Sequence, residues 1–345
     1  MRIAVIGAGA IGGYVGARLA MAGEDVTFVV RGAHVEAIRR NGFTLVAADG
    51  RESVVRNVAV TEDYDAAGAH DVIVLAMKAH QVEAVASRVP RLLHPDTTIV
   101  TMQNGIPFWY FHRHGGPLAG HALRSVDPTG ACSRYLDARR ILGCVVYPAA
   151  ELVAPGIVRH IEGERLPLGE LDGTATPRVT AVAEAFTRAG FKSPVLTDIR
   201  AEIWLKLWGN LTFNPISALS RATLEDICKY LPTRNLAAAM MGEAQAVASK
   251  LGITFRVDLE RRIAGAERVG AHKTSMLQDV EAGRWPEVDA LIGSVAELGR
   301  MTGTPTPHID TVFALTRLLA VGVAQAPSAA PEAPPAEAPR PVFAT

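Results

Sequence analysis

Arg2-Ile-Ala-Val-Ile-Gly7-Ala8-Gly9-Ala10-Ile11-Gly12 stands at the start of the chain, and its reading decides the fold. Residues 2–6 are an apolar run of strand length rich in β-branched side chains, and residues 10–22 carry a helical pattern. A strand, a glycine-rich turn and a helix are the parts of a dinucleotide pyrophosphate site, the nucleus of a Rossmann-type α/β domain. In that reading Gly7 allows the tight turn, Gly9 lets backbone approach the phosphates, and Gly12 lets helix and strand pack closely. Unpaired N–H groups and the positive dipole end of the helix would meet the pyrophosphate. Gly7, Ala8, Gly9, Ala10, Ile11 and Gly12 are therefore the expected cofactor loop.

A second strand over residues 25–30 runs into Arg31, with no carboxylate before Glu36. An acid near this point holds the ribose 2′-hydroxyl of NAD, whereas a basic residue accommodates the 2′-phosphate of NADP. A guanidinium suits phosphate because it stays charged and donates as a fork. The expectation is NADPH, with Arg31 on the phosphate; the plainer reading is a solvated arginine capping the strand.

At 345 residues the chain is long enough for two separate cores. Lys and Arg number 35 against 35 Asp and Glu, so charge makes no case for nucleic acid or a membrane surface as partner. Cys132, Cys144 and Cys228 are odd in number and far apart. That speaks against a disulfide framework or a zinc site and suits a reducing cytoplasm. No metal is expected, since the histidines show no ligand spacing beside acids or cysteines. Glycines between positions 7 and 16 break any signal-peptide apolar core, and no stretch of about 20 uncharged apolar residues suggests a membrane span.

Strand-like and helix-like segments alternate to about residue 195. The pattern gives a helix at 32–41, a strand at 71–76, a helix at 79–88 and a strand at 98–101. Short strands follow at 142–147, 156–161 and 165–170, then a helix at 177–190. Alternation of this kind predicts a parallel sheet covered on both faces. Beyond Pro194 only helical spacing remains, at 198–213, 232–252, 287–303 and 307–322. The organisation expected is a Rossmann-type domain over 1–195, an all-α domain over 196–324 and a tail over 325–345. The tail is Ala/Pro-rich, cannot bury a core and reads as disordered.

Three segments carry candidate chemistry. Lys78, in Leu75-Ala-Met-Lys78-Ala-His-Gln81, lies just past the end of a parallel strand, where such sheets bind ligands. It suits a cofactor phosphate or a substrate carboxylate, unless it is simply a surface lysine. Asn104, in Gln103-Asn104-Gly105, follows the next strand in the same way, and its amide suits the nicotinamide end. Asn-Gly is equally a common turn. The third is Ile203-Trp204-Leu-Lys206-Leu-Trp208-Gly-Asn210-Leu-Thr-Phe213-Asn214-Pro215. Lys206, Asn210 and Asn214 are four apart and form one polar stripe on a helix otherwise apolar, hence buried. A desolvated lysine there loses basicity and suits a proton donor to a developing alkoxide. The alternative is a lysine that snorkels beside two structural asparagines. Ser275 draws no notice alone, and Glu287 after Pro286 reads as an acid at a helix start.

Taken in order, GAGAIG, Arg31, MKAHQ around Lys78, QNG at 103–105, WLKLWGNLTFNP, TSMLQDV and EVDALIG make the chain resemble the ketopantoate reductase family. The likeness spans roughly residues 1–320. It implies a Rossmann-type domain, a helical C-terminal domain and an active site in the cleft between them. It also implies hydride transfer from NADPH to C2 of ketopantoate, giving D-pantoate for pantothenate and coenzyme A synthesis. On the same ground Lys206 and Glu287 would be the catalytic residues, the lysine as general acid and Glu287 positioning it. Asn210 and Asn214 match amides that bind the hydroxyl end of the substrate, and Ser275 matches a serine that grips its carboxylate. Asn104 matches the residue beside the nicotinamide, and Lys78 the basic residue of the cofactor site. His272 departs from relatives that carry Asn there; the Trp204–Trp208 pair and the His112–Gly116 stretch match nothing assignable, and the tail is extra.

Other readings stay open. Another branched 2-oxo acid would use the same lysine and hydride donor, since one methylene separates such substrates by only about 1–3 kcal/mol. A non-catalytic dinucleotide sensor would keep the fold but have no use for a proton donor. The partner expected is a small-molecule 2-oxo acid; a homodimer through the helical half stays open.

Overall fold

The computed structural model describes residues 1–325. In chain order its strands are β1 (Arg2–Ile6), β2 (Asp25–Val29), β3 (Phe43–Val46), β4 (Glu52–Val55), β5 (Val58–Thr61), β6 (Val72–Leu75), β7 (Thr98–Thr101), β8 (Ile141–Cys144), β9 (Ala149–Ala154), β10 (Ile157–Glu162) and β11 (Leu168–Glu170). Seven of them form a sheet in the order β11-β8-β7-β6-β1-β2-β5. Pairing is parallel throughout except at the β8–β11 edge. Ile3, Ala4, Val5 and Ile6 are at most 1% exposed, as a strand covered on both faces requires. Strand order reverses at β1, flanked by β2 and β6. Ligands of such sheets bind in the crevice beyond the carboxyl ends of the strands at that reversal.

A second sheet, β4-β3-β10-β9, packs on the helix Ala10–Met21. Contact is close enough to require a glycine: a Cβ on Gly13 would lie 2.4 Å from Cζ of Phe43 and 2.8 Å from Cγ2 of Val158. Of this sheet only β10 matches an expected strand. The others are short, and β4 and β9 are largely exposed edges without an apolar run. β8 ends at Cys144 rather than residue 147, and the helix expected over 177–190 is Pro177–Arg188.

From Ile199 onward the described residues contain helices and no strand. The central one, Ile199–Ser220, was expected to stop at residue 213 but continues through Pro215. A helix this enclosed is held by its packing: Leu211, Phe213 and Ile216 are at most 4% exposed, which outweighs the one backbone bond a proline removes. Around it lie Leu231–Lys250, Leu259–Arg268, Ser275–Glu281, Ser294–Thr302 and Pro307–Gln325. The last is helical to Gln325, so the expected tail begins at least one residue late; its remainder lies outside the described residues. By length and mean hydropathy (1.2) this helix could cross a membrane, yet it carries Asp310 and Arg317 and packs on the central helix.

The Trp204–Trp208 pair belongs to the core. Trp204 Nε1 donates to the Tyr110 hydroxyl at 2.7 Å, and Trp208 Nε1 to the Met241 carbonyl at 2.8 Å. The His112–Gly116 stretch is a clamped turn, its His112 carbonyl accepting from Arg200 and its Arg113 paired with Asp172.

Candidate active site

The loop after β7 meets the central helix through Asn104 and Lys206. The loop after β6 meets Asp279, Trp285 and Glu287 and lies against the glycine turn after β1; the candidate chemistry gathers there. Gly7 has φ +97°, which favours glycine. A Cβ on Gly12 would come within 1.9 Å of the Gly7 carbonyl oxygen and 2.8 Å of Cβ of Ala76, so helix and strand pack without intervening side chain. On Gly9 a Cβ would meet nothing within 4 Å. Open space therefore lies ahead of the helix Ala10–Met21, whose N-cap, Gly9, offers no side-chain acceptor. Unspent N–H groups facing open space fit a pyrophosphate. The loop suits a dinucleotide.

Arg31 is exposed beyond the end of β2. The Arg88 guanidinium lies 4.8 Å from the centre of the Tyr64 ring. Burial raises the pKa of the Tyr64 phenol, partly offset by Arg88 and Arg31, so both arginines belong to one basic neighbourhood. Arg88 sits in no motif, so nothing local in the sequence marks it out.

Lys206 projects from the central helix into a chain of polar contacts. Its Nζ donates to Oδ1 of Asn104 at 2.6 Å and to the Val146 carbonyl. Nδ2 of Asn104 donates to Oε2 of Glu287 at 3.1 Å, and Oε1 of Glu287 accepts from the Ala79 N–H at 3.4 Å. Glu287 thus reaches Lys206 through Asn104. The geometry rests on Gly105, at φ +86°, where a Cβ would lie 2.1 Å from the Ala290 carbonyl oxygen. That oxygen also accepts from the Ile106 N–H at 3.1 Å. Asn104-Gly105 is both a turn and a contact with the helical half.

Burial lowers the Lys206 pKa to about 8, with the Glu287 carboxylate and the Cys144 thiol pushing partly back. Burial raises Glu287, against the Asn104 amide, the Lys78 charge and the Ala79 N–H. The two shifts bring an acid and a base toward one another in an enclosed site, a pattern typical of proton-transfer chemistry. The Val146 carbonyl left no trace in the sequence, because any residue supplies one.

Other candidates are placed unevenly. Asn210 lines a cleft of about 240 Å³ with Lys206, Gln103 and Asn104. Asn214 lies one turn on and is 6% exposed. Neither amide has a hydrogen-bond partner among the described residues, so both keep donors for a ligand. Lys78 is turned to the helical half, its Nζ 2.5 Å from Oδ2 of Asp279 and 3.3 Å from the Trp285 carbonyl. Asp279 also accepts from Nε of Arg284 at 3.0 Å. Ser275 is exposed at the start of Ser275–Glu281, with no hydrogen bond to Lys206 or the asparagines. His272 contributes backbone contacts, its carbonyl accepting from the Leu224 N–H at 3.0 Å.

Known proteins resemble the chain over nearly its whole described length. The family model described as ketopantoate reductase PanE/ApbA matches residues 3–173, and its C-terminal counterpart matches residues 198–320. A 2-dehydropantoate 2-reductase from Mesorhizobium japonicum is 53% identical over 324 residues, covering 93% of this chain and 98% of the relative. One from Archaeoglobus fulgidus is 28% identical over 317 residues, covering 92% and 97%. Among solved structures, a candidate ketopantoate reductase from Ralstonia solanacearum aligns with TM-score 0.89 at 42% identity, covering 93% and 98%.

Proposed function

We propose that this chain, which belongs to the ketopantoate reductase family, reduces 2-dehydropantoate to D-pantoate with NADPH in the cytoplasm. The observation that carries the reading is the Lys206 ammonium, desolvated in the cleft and held by Asn104 and Val146. When bound, a reduced nicotinamide supplies hydride to C2 of the 2-oxo acid. The keto oxygen becomes an alkoxide and takes a proton from Lys206 Nζ, leaving a neutral amine that solvent recharges. An ammonium has three donors. Two are spent on Asn104 and Val146, so the third is free for the substrate oxygen. A pKa near 8 leaves the group mostly protonated at neutral pH yet a readier donor than an ordinary lysine.

The remaining roles rest on the family resemblance together with position. Glu287 is a positioning residue that acts through Asn104, and the resemblance assigns Asn104 itself to the nicotinamide end. Asn210 and Asn214 offer amides to the hydroxyl end of the substrate, and Ser275 a hydroxyl to its carboxylate. Gly7, Ala8, Gly9, Ala10, Ile11 and Gly12 cradle the pyrophosphate, Arg31 takes the 2′-phosphate, and Lys78 joins the cofactor site once released from Asp279. Three buried free thiols suit a reducing compartment. Exposed Leu315, Leu318 and Val321 on the last helix support a homodimer.

Replacing Lys206 tests the reading. Lys206→Ala should lower kcat for NADPH oxidation with 2-dehydropantoate by about 100-fold or more, the scale of lost general acid catalysis. An unchanged kcat removes Lys206 from the mechanism. The same lysine and hydride donor would serve one further reading, reduction of another branched 2-oxo acid. A substrate panel with NADPH separates the two.

A further inference from the structure

Among the described residues, a cation packed on the central helix has no counter-charge. Arg262 lies half-buried on the helix Leu259–Arg268. Among the described residues its guanidinium makes no ion pair and no hydrogen bond, and its Nε is enclosed without an acceptor. Arg165, Arg234 and Arg256 are by contrast paired. Glu202, 2% exposed, accepts from Arg165, Arg256 and the Tyr147 hydroxyl, while Arg234 pairs with Glu260 and Glu267.

Arg262 is seated on the active helix. A Cβ on Gly209 would lie 2.3 Å from its Nη2, so the guanidinium rests directly on the backbone at that glycine. Gly209 follows Lys206 by three residues and adjoins Asn210, which puts Arg262 on the flank of the polar stripe. Tyr147 lies near both cations. Its ring centre is 5.8 Å from Lys206 Nζ, and its phenol is close enough to Arg262 to bear on that group's titration.

A guanidinium whose Nε is shut off from water without an acceptor is costly, and an anion placed against its open Nη edge compensates it. Burial pulls its pKa below the ordinary arginine range, in the same sense. A 2-oxo acid carries its carboxylate one bond from the carbon that is reduced. We propose that Arg262 receives the carboxylate of the 2-oxo acid and so sets C2 against Lys206, an inference that rests on the reductase reading above. A guanidinium fork matches a carboxylate in two parallel bonds. Ser275 supplies only a neutral donor from another helix, so the charge comes from Arg262.

The experiment compares the wild type with Arg262→Met, Arg262→Lys and Gly209→Ala, using 2-dehydropantoate and its uncharged methyl ester. A lost charge-assisted pair corresponds to a change of about 10- to 100-fold. Arg262→Met should raise the KM for the acid by that factor, leave kcat/KM for the ester nearly unchanged and leave the KM for NADPH alone. Arg262→Lys should recover part of the loss. Gly209→Ala keeps the charge but crowds it off its seat, so it should weaken the acid selectively as well, even where Arg262→Met fails to fold. Equal losses on acid and ester, or an unaltered KM for the acid in the folded variants, overturn the assignment while the reductase reading stands. A wild type that reduces no 2-oxo acid overturns both.

Discussion

Asn104→Ala removes one acceptor from Lys206 and one donor from Glu287, leaving the ammonium the Val146 carbonyl alone. A hydrogen bond to a charged group is worth about 1.5–3 kcal/mol, and about 1.4 kcal/mol is one pKa unit, so the Lys206 pKa should fall by about 1–2 units. It would drop from about 8 toward the range of about 6–7. Glu287, losing a bond to its charged form, shifts upward and carries less negative charge toward the lysine, a change of the same sign. Cys144 and the Tyr147 ring also face Lys206 and are unaltered. A general acid works while protonated, so activity is present below its pKa and is lost as pH rises through it. The assay is kcat against pH at saturating NADPH and 2-oxo acid. The alkaline limb should move down by one to two units, with kcat near pH 6 much less affected. An alkaline limb that stays in place, or moves up, refutes the coupling of Asn104 to the lysine.

Two further perturbations reach other parts of the molecule. Arg31→Ala should raise the KM for NADPH by about 10- to 100-fold, the scale of a lost charged hydrogen bond, while leaving NADH almost untouched; equal effects on both would place Arg31 away from the 2′-phosphate. Glu202→Gln takes the shared carboxylate from Arg165 and Arg256, which keep access to water, and should cost about 1–3 kcal/mol in denaturant unfolding. Burial raises the Glu202 pKa, but Arg165, Tyr147 and Arg256 outweigh it and hold the carboxyl below its ordinary 4.5. Its contribution is therefore complete above that value and fades as pH falls through the folded pKa. A wild type and variant of equal stability at pH 7 would rule the network out.

What the sequence disclosed depended on range. The β1 strand, its glycine turn and the following helix announce themselves within residues 2–22, because their signal is local periodicity and backbone freedom. The same holds for the Lys206, Asn210, Asn214 stripe. The small sheet was hidden: β3 and β4 are short, β9 is an exposed edge, and the pairing that joins the two hairpins, β3 with β10, spans more than a hundred residues. Pro215 misled for a related reason, since its local rule was overridden by packing from several neighbours. The Lys206–Asn104–Glu287 chain joins residues 102 and 183 positions apart, and spacing alone could not have linked them. Arg262 was invisible because an unpaired cation is recognised only by who is missing around it.

The apolar interior offers one more consequence. Ile6, Ile73, Leu75 and Ile99 of the sheet share one continuous buried cluster with Trp204, Leu207, Met240 and Val295 of the helices. Neither half can expose its share without stripping the other. Scanning calorimetry should accordingly record one heat-absorption peak for the whole enzyme rather than two separable melts, and the crevice that holds the lysine should breathe by small sliding at its rim.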